Sequence, residues 1–207
     1  MTPVQIAFII VASVVVLVGL VLLYFLVIRK KLIAKRYRNF YYKSVYHIAE
    51  EKDYYLINNL YFKLDDRKHA RIDHVLFGNK YIYLINCYYY EGDLKGSLED
   101  HSLVLIPKNA KKRYVKNPYQ TSKITLERLV RRSFLDEDLF IGIVVTNENI
   151  NLEIISNSKQ YYFVQRNKLH QLIKAIESRD VGEIQPDELN NLVQALYKNS
   201  NKIKSRL

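Results

Sequence analysis

The stretch RIDHVLFGNKYIYLINCY, residues 71–88, predicts a β-hairpin around which the rest of the fold can be placed. Residues 71–77 and 80–88 are rich in β-branched and aromatic side chains, which favour extended structure. Gly78 and Asn79 between them accept the left-handed backbone angles of a tight turn. The two runs are therefore expected to pair as neighbouring antiparallel strands.

Outward from the hairpin, the sequence alternates helical patterns with short strand patterns. Further strands are predicted at residues 103–106, 140–145 and 161–164, and helices at residues 41–60, 117–133, 168–177 and from Pro186 onward. The prediction of the first helix is based on apolar residues that recur at helical spacing: Val45, Ala49, Leu56 and Leu60. Residues 140–145 are almost wholly apolar, which is typical of a central strand. The order predicts an α+β fold with a mixed sheet flanked by helices.

The first 28 residues differ from the rest of the chain. They contain no Asp, Glu, Lys or Arg, and residues 4–28 are apolar except for Gln5 and Ser13. A helix of this length, at a rise of about 1.5 Å per residue, can cross a hydrocarbon core of about 30 Å. A cleaved signal peptide would need a basic start and a shorter apolar run, which this segment lacks. We expect one transmembrane helix here.

A basic segment follows the predicted span. Six of the ten residues at positions 29–38 are basic: Arg29, Lys30, Lys31, Lys35, Arg36 and Arg38. By the positive-inside rule, the part of the chain after the span faces the cytoplasm, so we expect a single-pass protein of the plasma membrane. The basic side chains are expected to contact anionic lipid headgroups.

Composition excludes several kinds of site and suggests the domain organisation. The chain has one cysteine, Cys87, which excludes an intrachain disulfide and a zinc or iron–sulfur site built from cysteines. There are 32 Lys and Arg against 21 Asp and Glu, a net charge of +11. We divide the chain into an anchor at residues 1–28, a basic segment at 29–40, a folded domain at 41–180 and a C-terminal helix with a basic tail at 181–207.

Four short motifs follow one another between residues 50 and 132. They are RIDHV at residues 71–75, YIYLINCY at 81–88, EGDLKG at 91–96 and NPYQ at 117–120. Their order and spacing resemble the nuclease-related (NERD) domain family, a branch of the PD-(D/E)xK nuclease superfamily. The resemblance implies a restriction-endonuclease-like core and a nuclease site that uses Mg²⁺ or Mn²⁺ where the site is intact.

The resemblance also implies roles for particular residues. Asp73 occupies the place of the family's metal-binding aspartate, and Asp53 falls where a helix glutamate is expected. The Glu-x-Lys motif departs from the family pattern, because Asn86 stands in place of the glutamate and Tyr88 in place of the lysine. Asn86 offers an uncharged carbonyl oxygen, and Tyr88 supplies no cation at pH 7. Because both residues share one strand face, we expect cleavage to be absent or very weak.

A relocated catalytic group is the main alternative to a degenerate site. Glu91 or Lys95 would then take over a lost role from the turn beyond the strand. An active Mg²⁺-dependent nuclease of this kind would lose its activity in both Asp73→Ala and Glu91→Gln.

Basic residues between positions 108 and 132 indicate a surface for nucleic acid. They are Lys108, Lys111, Lys112, Arg113 and Lys116 in a predicted loop, with Lys123, Arg128, Arg131 and Arg132 on the helix that follows. These cations are expected to contact phosphates, with Tyr114 and Tyr119 stacking on bases. The alternative is a solvated basic face beside an anionic membrane.

Three functions stay open from the sequence. The first, which we favour, is a nucleic-acid-binding or scaffolding domain that descends from a nuclease and is no longer an enzyme. The second is a residual metal-dependent nuclease. The third is a protein-interaction domain at the membrane, which would use the helix from Pro186. The altered Glu-x-Lys motif separates the first from the second, and the salt dependence of binding separates both from the third.

Overall fold

A computed structural model describes residues 3–24, 29–63, 69–107, 110–133 and 135–204. By its contacts, the chain divides into two units, Met1–Phe40 and Tyr41–Leu207. The helices are α1 (Pro3–Leu23), α2 (Arg29–Lys52), α3 (Pro118–Ser133), α4 (Leu169–Glu177) and α5 (Pro186–Lys204). The strands are β1 (Tyr55–Lys63), β2 (His69–Phe77), β3 (Ile82–Tyr88), β4 (Asp93–Ser97), β5 (Ser102–Ile106), β6 (Arg113–Lys116), β7 (Phe140–Thr146), β8 (Leu152–Ile155) and β9 (Tyr161–Gln165).

The first unit contains α1 and the beginning of α2. The predicted membrane span, residues 4–28, overlaps α1, and residues 25–28 lie outside the described part of the chain. Across the ranges that the structure describes, no helix combines the length and the apolar character needed to cross a membrane. The basic residues at 29–38 belong to the first turns of α2.

The second unit is organised around a five-stranded mixed sheet with the strand order β1-β2-β3-β7-β9. β1, β2 and β3 are antiparallel neighbours, and β3, β7 and β9 run parallel. The predicted hairpin is confirmed, because Phe77 pairs with Ile82 across the turn. All of β7 is buried, as its apolar sequence predicts for a central strand. The mixed α+β fold is therefore confirmed.

A second, four-stranded sheet has the order β6-β5-β4-β8. Its buried side is an apolar cluster around Leu94, Leu103 and Leu105, each of which is fully buried. Of these four strands, the sequence predicted β5 alone. β4 lies where a turn was expected, and β6 lies within the expected basic loop.

The helix predicted at residues 41–60 is wrong in its second half. α2 ends at Lys52, and Asp53 takes the left-handed conformation with φ 55°. The Tyr54 N–H then donates to the Ala49 carbonyl at 2.8 Å, which is the bond of a Schellman helix end. Leu56 and Leu60, read as part of a helical stripe, belong instead to β1. Residues four positions apart lie on one face in a helix and also in a strand, because every second residue of a strand lies on the same face.

The helices after the second sheet agree with the sequence pattern. The Asn117 Oδ1 atom accepts a hydrogen bond from the Tyr119 N–H at 3.0 Å, which caps the start of α3. α5 begins at Pro186, and its Leu192 and Leu196 are buried in the core beside β1. Leu189 and Val193, which lie on the same face, also pack against this core. By contacts, α5 belongs to the second unit, Tyr41–Leu207.

Candidate functional site

Three residues of the sequence motifs lie near one another in the five-stranded sheet. Asp73 lies on β2, and Asn86 and Tyr88 lie near the C-terminal end of β3. The hairpin register pairs His74 with Ile85, which places Asp73 opposite Asn86. β3 is parallel to β7, and sheets of this kind place ligand sites at the carboxyl ends of their parallel strands.

The carboxylate of Asp73 is held by two donors of the protein itself. Its Oδ1 atom accepts a hydrogen bond from Arg71 Nη2 at 2.6 Å, within an ion pair. Its Oδ2 atom accepts from the backbone N–H of Cys87 at 2.9 Å. The side chains of Arg71 and Asp73 are 39% and 23% exposed, so the pair lies at the protein surface. The hydrogen bond to Asp73 raises the pKa of Arg71, because it favours the charged guanidinium.

Asn86 connects the two strands with the helix above them. Its Oδ1 atom accepts a long hydrogen bond of 3.4 Å from the backbone N–H of Asp73. Its Nδ2 atom donates to the Oγ atom of Ser122 on α3 at 3.3 Å, and Ser122 is buried. In this protein Asn86 therefore acts as a structural bridge between β2, β3 and α3.

Tyr88 is a neutral, half-buried side chain near the end of β3. Burial raises the pKa of its hydroxyl, and the negative charge of Asp73 raises it further. Its ring lies parallel to that of Tyr90, with 6.1 Å between the ring centroids. Its backbone carbonyl accepts a hydrogen bond from the Tyr41 hydroxyl at 2.8 Å. Tyr88 thus adds packing to this corner of the site and no positive charge at neutral pH.

The donor set around Asp73 does not fit a Mg²⁺ or Mn²⁺ ion. Such ions prefer several hard oxygen ligands with a net negative charge. At this site Asp73 supplies a carboxylate, but the positive charge of Arg71 compensates it. Asn86 supplies an oxygen without a charge. Among the residues with described side chains, no group of three or more His, Cys, Asp and Glu is arranged to hold a metal ion.

Asp53, expected as the helix carboxylate of the site, lies elsewhere. It is the exposed residue that follows the last turn of α2, and it is not on the helix. Two aromatic residues of α2 contact the hairpin: the Tyr41 hydroxyl donates to the Tyr88 carbonyl, and the Tyr42 ring lies 6.3 Å from the ring of His74. The expectation that Asp53 is a helix residue is therefore wrong, because α2 ends at Lys52.

The two residues considered as replacements have other partners. Lys95 lies on β4 in the second sheet, where its Nζ atom pairs with Glu153 at 2.7 Å. Glu91 is exposed and accepts a hydrogen bond from the Tyr89 hydroxyl at 3.1 Å. Neither contact brings a carboxylate or an ammonium group to Asp73.

The predicted basic surface is exposed over most of its length. The exposed cations are Lys111, Lys112, Arg113 and Lys116 at β6, and Arg128, Arg131 and Arg132 on α3. Lys123 is half-buried, with its Nζ atom 5.8 Å from the centre of the Tyr119 ring. Lys108 lies outside the described residues. The predicted loop is an edge strand from Arg113 onward.

The two tyrosines proposed for base stacking have opposite environments. Tyr119 is 5% exposed, and its ring packs edge-on against Tyr161 with 4.8 Å between centroids. It has no open face for a base, so its assignment to a nucleic-acid surface was wrong. Tyr114 on β6 is 71% exposed. Its ring remains available for stacking.

Arg71 is the site residue that the sequence reasoning missed. It stands two positions before Asp73 on the same strand, and alternate residues of a strand share a face. That spacing was a usable signal for a cation beside the carboxylate. The contacts from Ser122 and the Cys87 N–H depend on tertiary packing, and the sequence carried no signal for them.

Comparisons with known proteins place the chain in a family context. The family model described as "NERD: Nuclease-related domain" matches residues 38–147, more than half of the chain. Comparison with curated proteins gives no match. A crystal structure of a protein of unknown function, AF1548, aligns with a TM-score of 0.34 and 14% sequence identity, over 75% of this chain and 78% of that chain.

Proposed function

Because the chain belongs to the nuclease-related domain (NERD) family, we propose that it is a nuclease-related protein that binds nucleic acid and cleaves it weakly or not at all. The observation that carries this proposal is the ion pair between Asp73 and Arg71. A phosphodiester nuclease of this type needs an anionic pocket for its metal ion and a cation near the attacking water. Here the carboxylate is neutralised by a neighbouring side chain, and Asn86 and Tyr88 bring no charge.

The exposed cations support retained binding to phosphates. Lys111, Lys112, Arg113 and Lys116 lie close together in the chain and are all exposed. When such clusters bind a nucleic acid, counterions condensed on the nucleic acid are released. This contribution to the free energy of binding depends on neither base sequence nor metal. Loss of cleavage is therefore compatible with retained binding.

The proposed location is the cytoplasmic face of the plasma membrane. It rests on the uncharged, apolar run at residues 4–28 and on the basic residues at 29–38, which fit a single-pass anchor with the folded unit on the inner side. A domain held there would bring bound nucleic acid, or a scaffolded partner, to the membrane surface.

The first test measures cleavage and binding in the same samples. A fragment covering residues 29–207 is incubated with labelled DNA and RNA, single-stranded and duplex, in Mg²⁺ or Mn²⁺, beside the Asp73→Ala variant. We expect binding that weakens steeply with salt, and no cleavage above that of the variant.

Each outcome of this test has a defined meaning. Cleavage that disappears in Asp73→Ala would establish an active, rewired nuclease and overturn the proposal. Cleavage that persists in the variant would identify a contaminant. Absence of both binding and cleavage would contradict nucleic acid as the ligand and would direct attention to protein partners.

A further inference from the structure

The second sheet has one buried face and one open face. Its inward side chains form a single apolar cluster: Leu94, Leu103, Leu105, Val115, Leu152 and Ile154. Because side chains alternate along a strand, the residues between them belong to the opposite face. On that face Tyr114 is 71% and Ile155 is 72% exposed. The outer face of this sheet is therefore solvated and carries large apolar side chains.

The strand register places Tyr114 in one row with outer residues of β5 and β4. Lys95 pairs with Val104, and Val104 pairs with Tyr114, so the three form one row across β4, β5 and β6. Neighbouring strands lie about 4.8 Å apart, which makes these side chains direct neighbours. Lys116 follows Tyr114 by two positions on the same face and is exposed. An aromatic ring with an ammonium group beside it thus stands at the edge of an open sheet.

The charges near β6 favour an anionic ligand. Lys111 and Lys112 precede the strand, and both are exposed. The acidic residues of the outer face are Asp93 and Glu153, on β4 and β8. Glu153 is already paired with Lys95 at 2.7 Å. The end of the face that holds Tyr114 therefore carries the positive charge.

We propose that this outer face binds single-stranded nucleic acid, with an unpaired base stacked on Tyr114 and the adjoining phosphates next to Lys112 and Lys116. The inference rests on the proposed function and specifies the strandedness of its ligand. A base can stack on a protein ring when it is unpaired and splayed out, whereas duplex bases are covered by their neighbours in the stack. Sheet faces with exposed aromatic rings are suited to this, because the flat surface leaves the ring accessible from one side.

A cation beside the ring adds the phosphate contact that stacking alone lacks. The base would lie over Tyr114, and the sugar-phosphate chain on either side of that base would run along β6 past Lys116 or toward Lys112. Each such contact contributes a salt-dependent increment, whereas the stacking contribution is nearly independent of salt. Substitutions at the ring and at the lysines should therefore differ in how their effects change with salt.

The test compares single strands with duplexes of the same sequence. The full chain in mild non-ionic detergent is titrated with labelled oligonucleotides of about 15 nucleotides, in EDTA to prevent any cleavage. We expect tighter binding of single strands than of duplexes. Tyr114→Ala should weaken single-strand binding about tenfold or more and leave duplex binding unchanged, whereas Tyr114→Phe, which keeps the ring, should stay within about threefold of the wild type.

Tyr197→Ala is the matched control for these variants. Tyr197 is 56% exposed on α5, so its loss removes a comparable exposed ring without touching the second sheet. Thermal unfolding of each variant verifies that the fold is retained.

Tyr114→Trp supplies a second readout that does not depend on affinity. The chain contains no tryptophan, so the introduced indole is the sole source of tryptophan fluorescence. Stacking of a base on the indole should quench this fluorescence on addition of a single strand. Tyr197→Trp should show no such quenching.

The failures of this inference and of the proposed function are distinguishable. Wild-type binding that is insensitive to Tyr114→Ala but reduced by Lys111→Glu with Lys112→Glu would overturn the stacking site and leave nucleic-acid binding intact. Equal affinity for duplex and single strand would overturn it as well. Wild-type protein that binds no nucleic acid in low salt, but binds anionic vesicles through the same lysines, would overturn both.

Discussion

At the scale of single residues, Asp73 has a structural role. It pairs with Arg71 and accepts the backbone N–H of Cys87, so its carboxylate joins β2 to β3. Removing Arg71 breaks a partly exposed ion pair, whereas removing Asp73 also leaves a backbone donor without its acceptor. The first loss typically costs about 0.5–1 kcal/mol and the second about 1–3 kcal/mol.

We therefore predict that Asp73→Ala lowers the free energy of unfolding more than Arg71→Ala does. Urea denaturation of both variants and of the double variant measures the two costs and their coupling, which should be about 1 kcal/mol. Arg113→Ala, an exposed arginine on β6, is the control and should have little effect. Equal costs for Asp73→Ala and Arg71→Ala would show that the bond to the Cys87 N–H contributes nothing.

The buried imidazole of His74, the next residue on β2, is expected to make the free energy of unfolding depend on pH. It is buried, its Nδ1 atom lies 2.6 Å from Asn58 Oδ1, and burial lowers its pKa to about 4. Between pH 4 and its ordinary pKa near 6.5, the unfolded chain binds a proton that the folded chain does not, so stability rises with pH across this window. Across the whole window, the free energy of unfolding should rise by about 3 kcal/mol.

This prediction is checked by urea denaturation at several pH values. His74→Gln should flatten the slope between pH 4 and 6.5, whatever its effect on absolute stability. His101→Gln, at an exposed position, should leave the slope in place. An unchanged slope in His74→Gln would assign the pH dependence to other groups.

At the scale of elements, the end of α2 depends on an unusual residue. Asp53 adopts φ 55°, a conformation that glycine takes without steric cost and that other L-residues adopt less readily. Asp53→Gly should therefore stabilise the protein by about 0.5–1 kcal/mol in thermal or urea unfolding. It should leave nucleic-acid binding unchanged, because Asp53 is exposed and is not part of the site around Asp73.

A contrasting variant makes this prediction sharper. Asp53→Val places a β-branched side chain in the same left-handed conformation and should destabilise the helix end. If Asp53→Gly instead abolished a metal-dependent activity, the role first assigned to this carboxylate would have to be restored.

The elements also show which parts of the fold the sequence could predict. β2, β3 and β7 were predictable because their apolar patterns and the Gly78-Asn79 turn are local signals. The α3 start was predictable because the Asn117 cap acts within three residues. β1 was misread, because Leu56 and Leu60 satisfy helical and extended spacing alike.

The second sheet was largely missed for a different reason. β4, β6 and β8 have four or five residues each, and most of their outer side chains are polar or charged, with Ile155 on β8 as the apolar exception. Such short strands gain their stability from neighbours across the sheet, and their own sequences show little preference. The burial of Tyr119 likewise follows from its contact with Tyr161 on another strand, which no local pattern records.

At the scale of the whole molecule, a net charge of +11 allows two readings of the basic surface. It can bind the phosphates of nucleic acid, or it can rest against anionic lipid without a specific ligand. Both interactions weaken with salt, so salt dependence alone does not separate them. The separation has to come from changing particular lysines and offering the two ligands side by side.

We predict that Lys112→Glu with Lys116→Glu, at the two lysines proposed to contact phosphates, weakens nucleic-acid binding and lowers its salt dependence. Each phosphate contact to a single strand contributes about 0.7 to the slope of log K against log salt, so losing two should reduce that slope by about 1.4. Lys168→Glu with Lys174→Glu is the control, because it makes the same charge change at exposed positions near α4.

Affinity is measured by anisotropy with oligonucleotides, and by sedimentation with vesicles that contain or lack anionic lipid. If the surface serves nucleic acid, the first pair of changes should reduce oligonucleotide binding far more than the control pair does. If the first pair reduces vesicle binding more than the control pair does and neither pair affects oligonucleotides, the basic surface serves the membrane, and the proposed function fails.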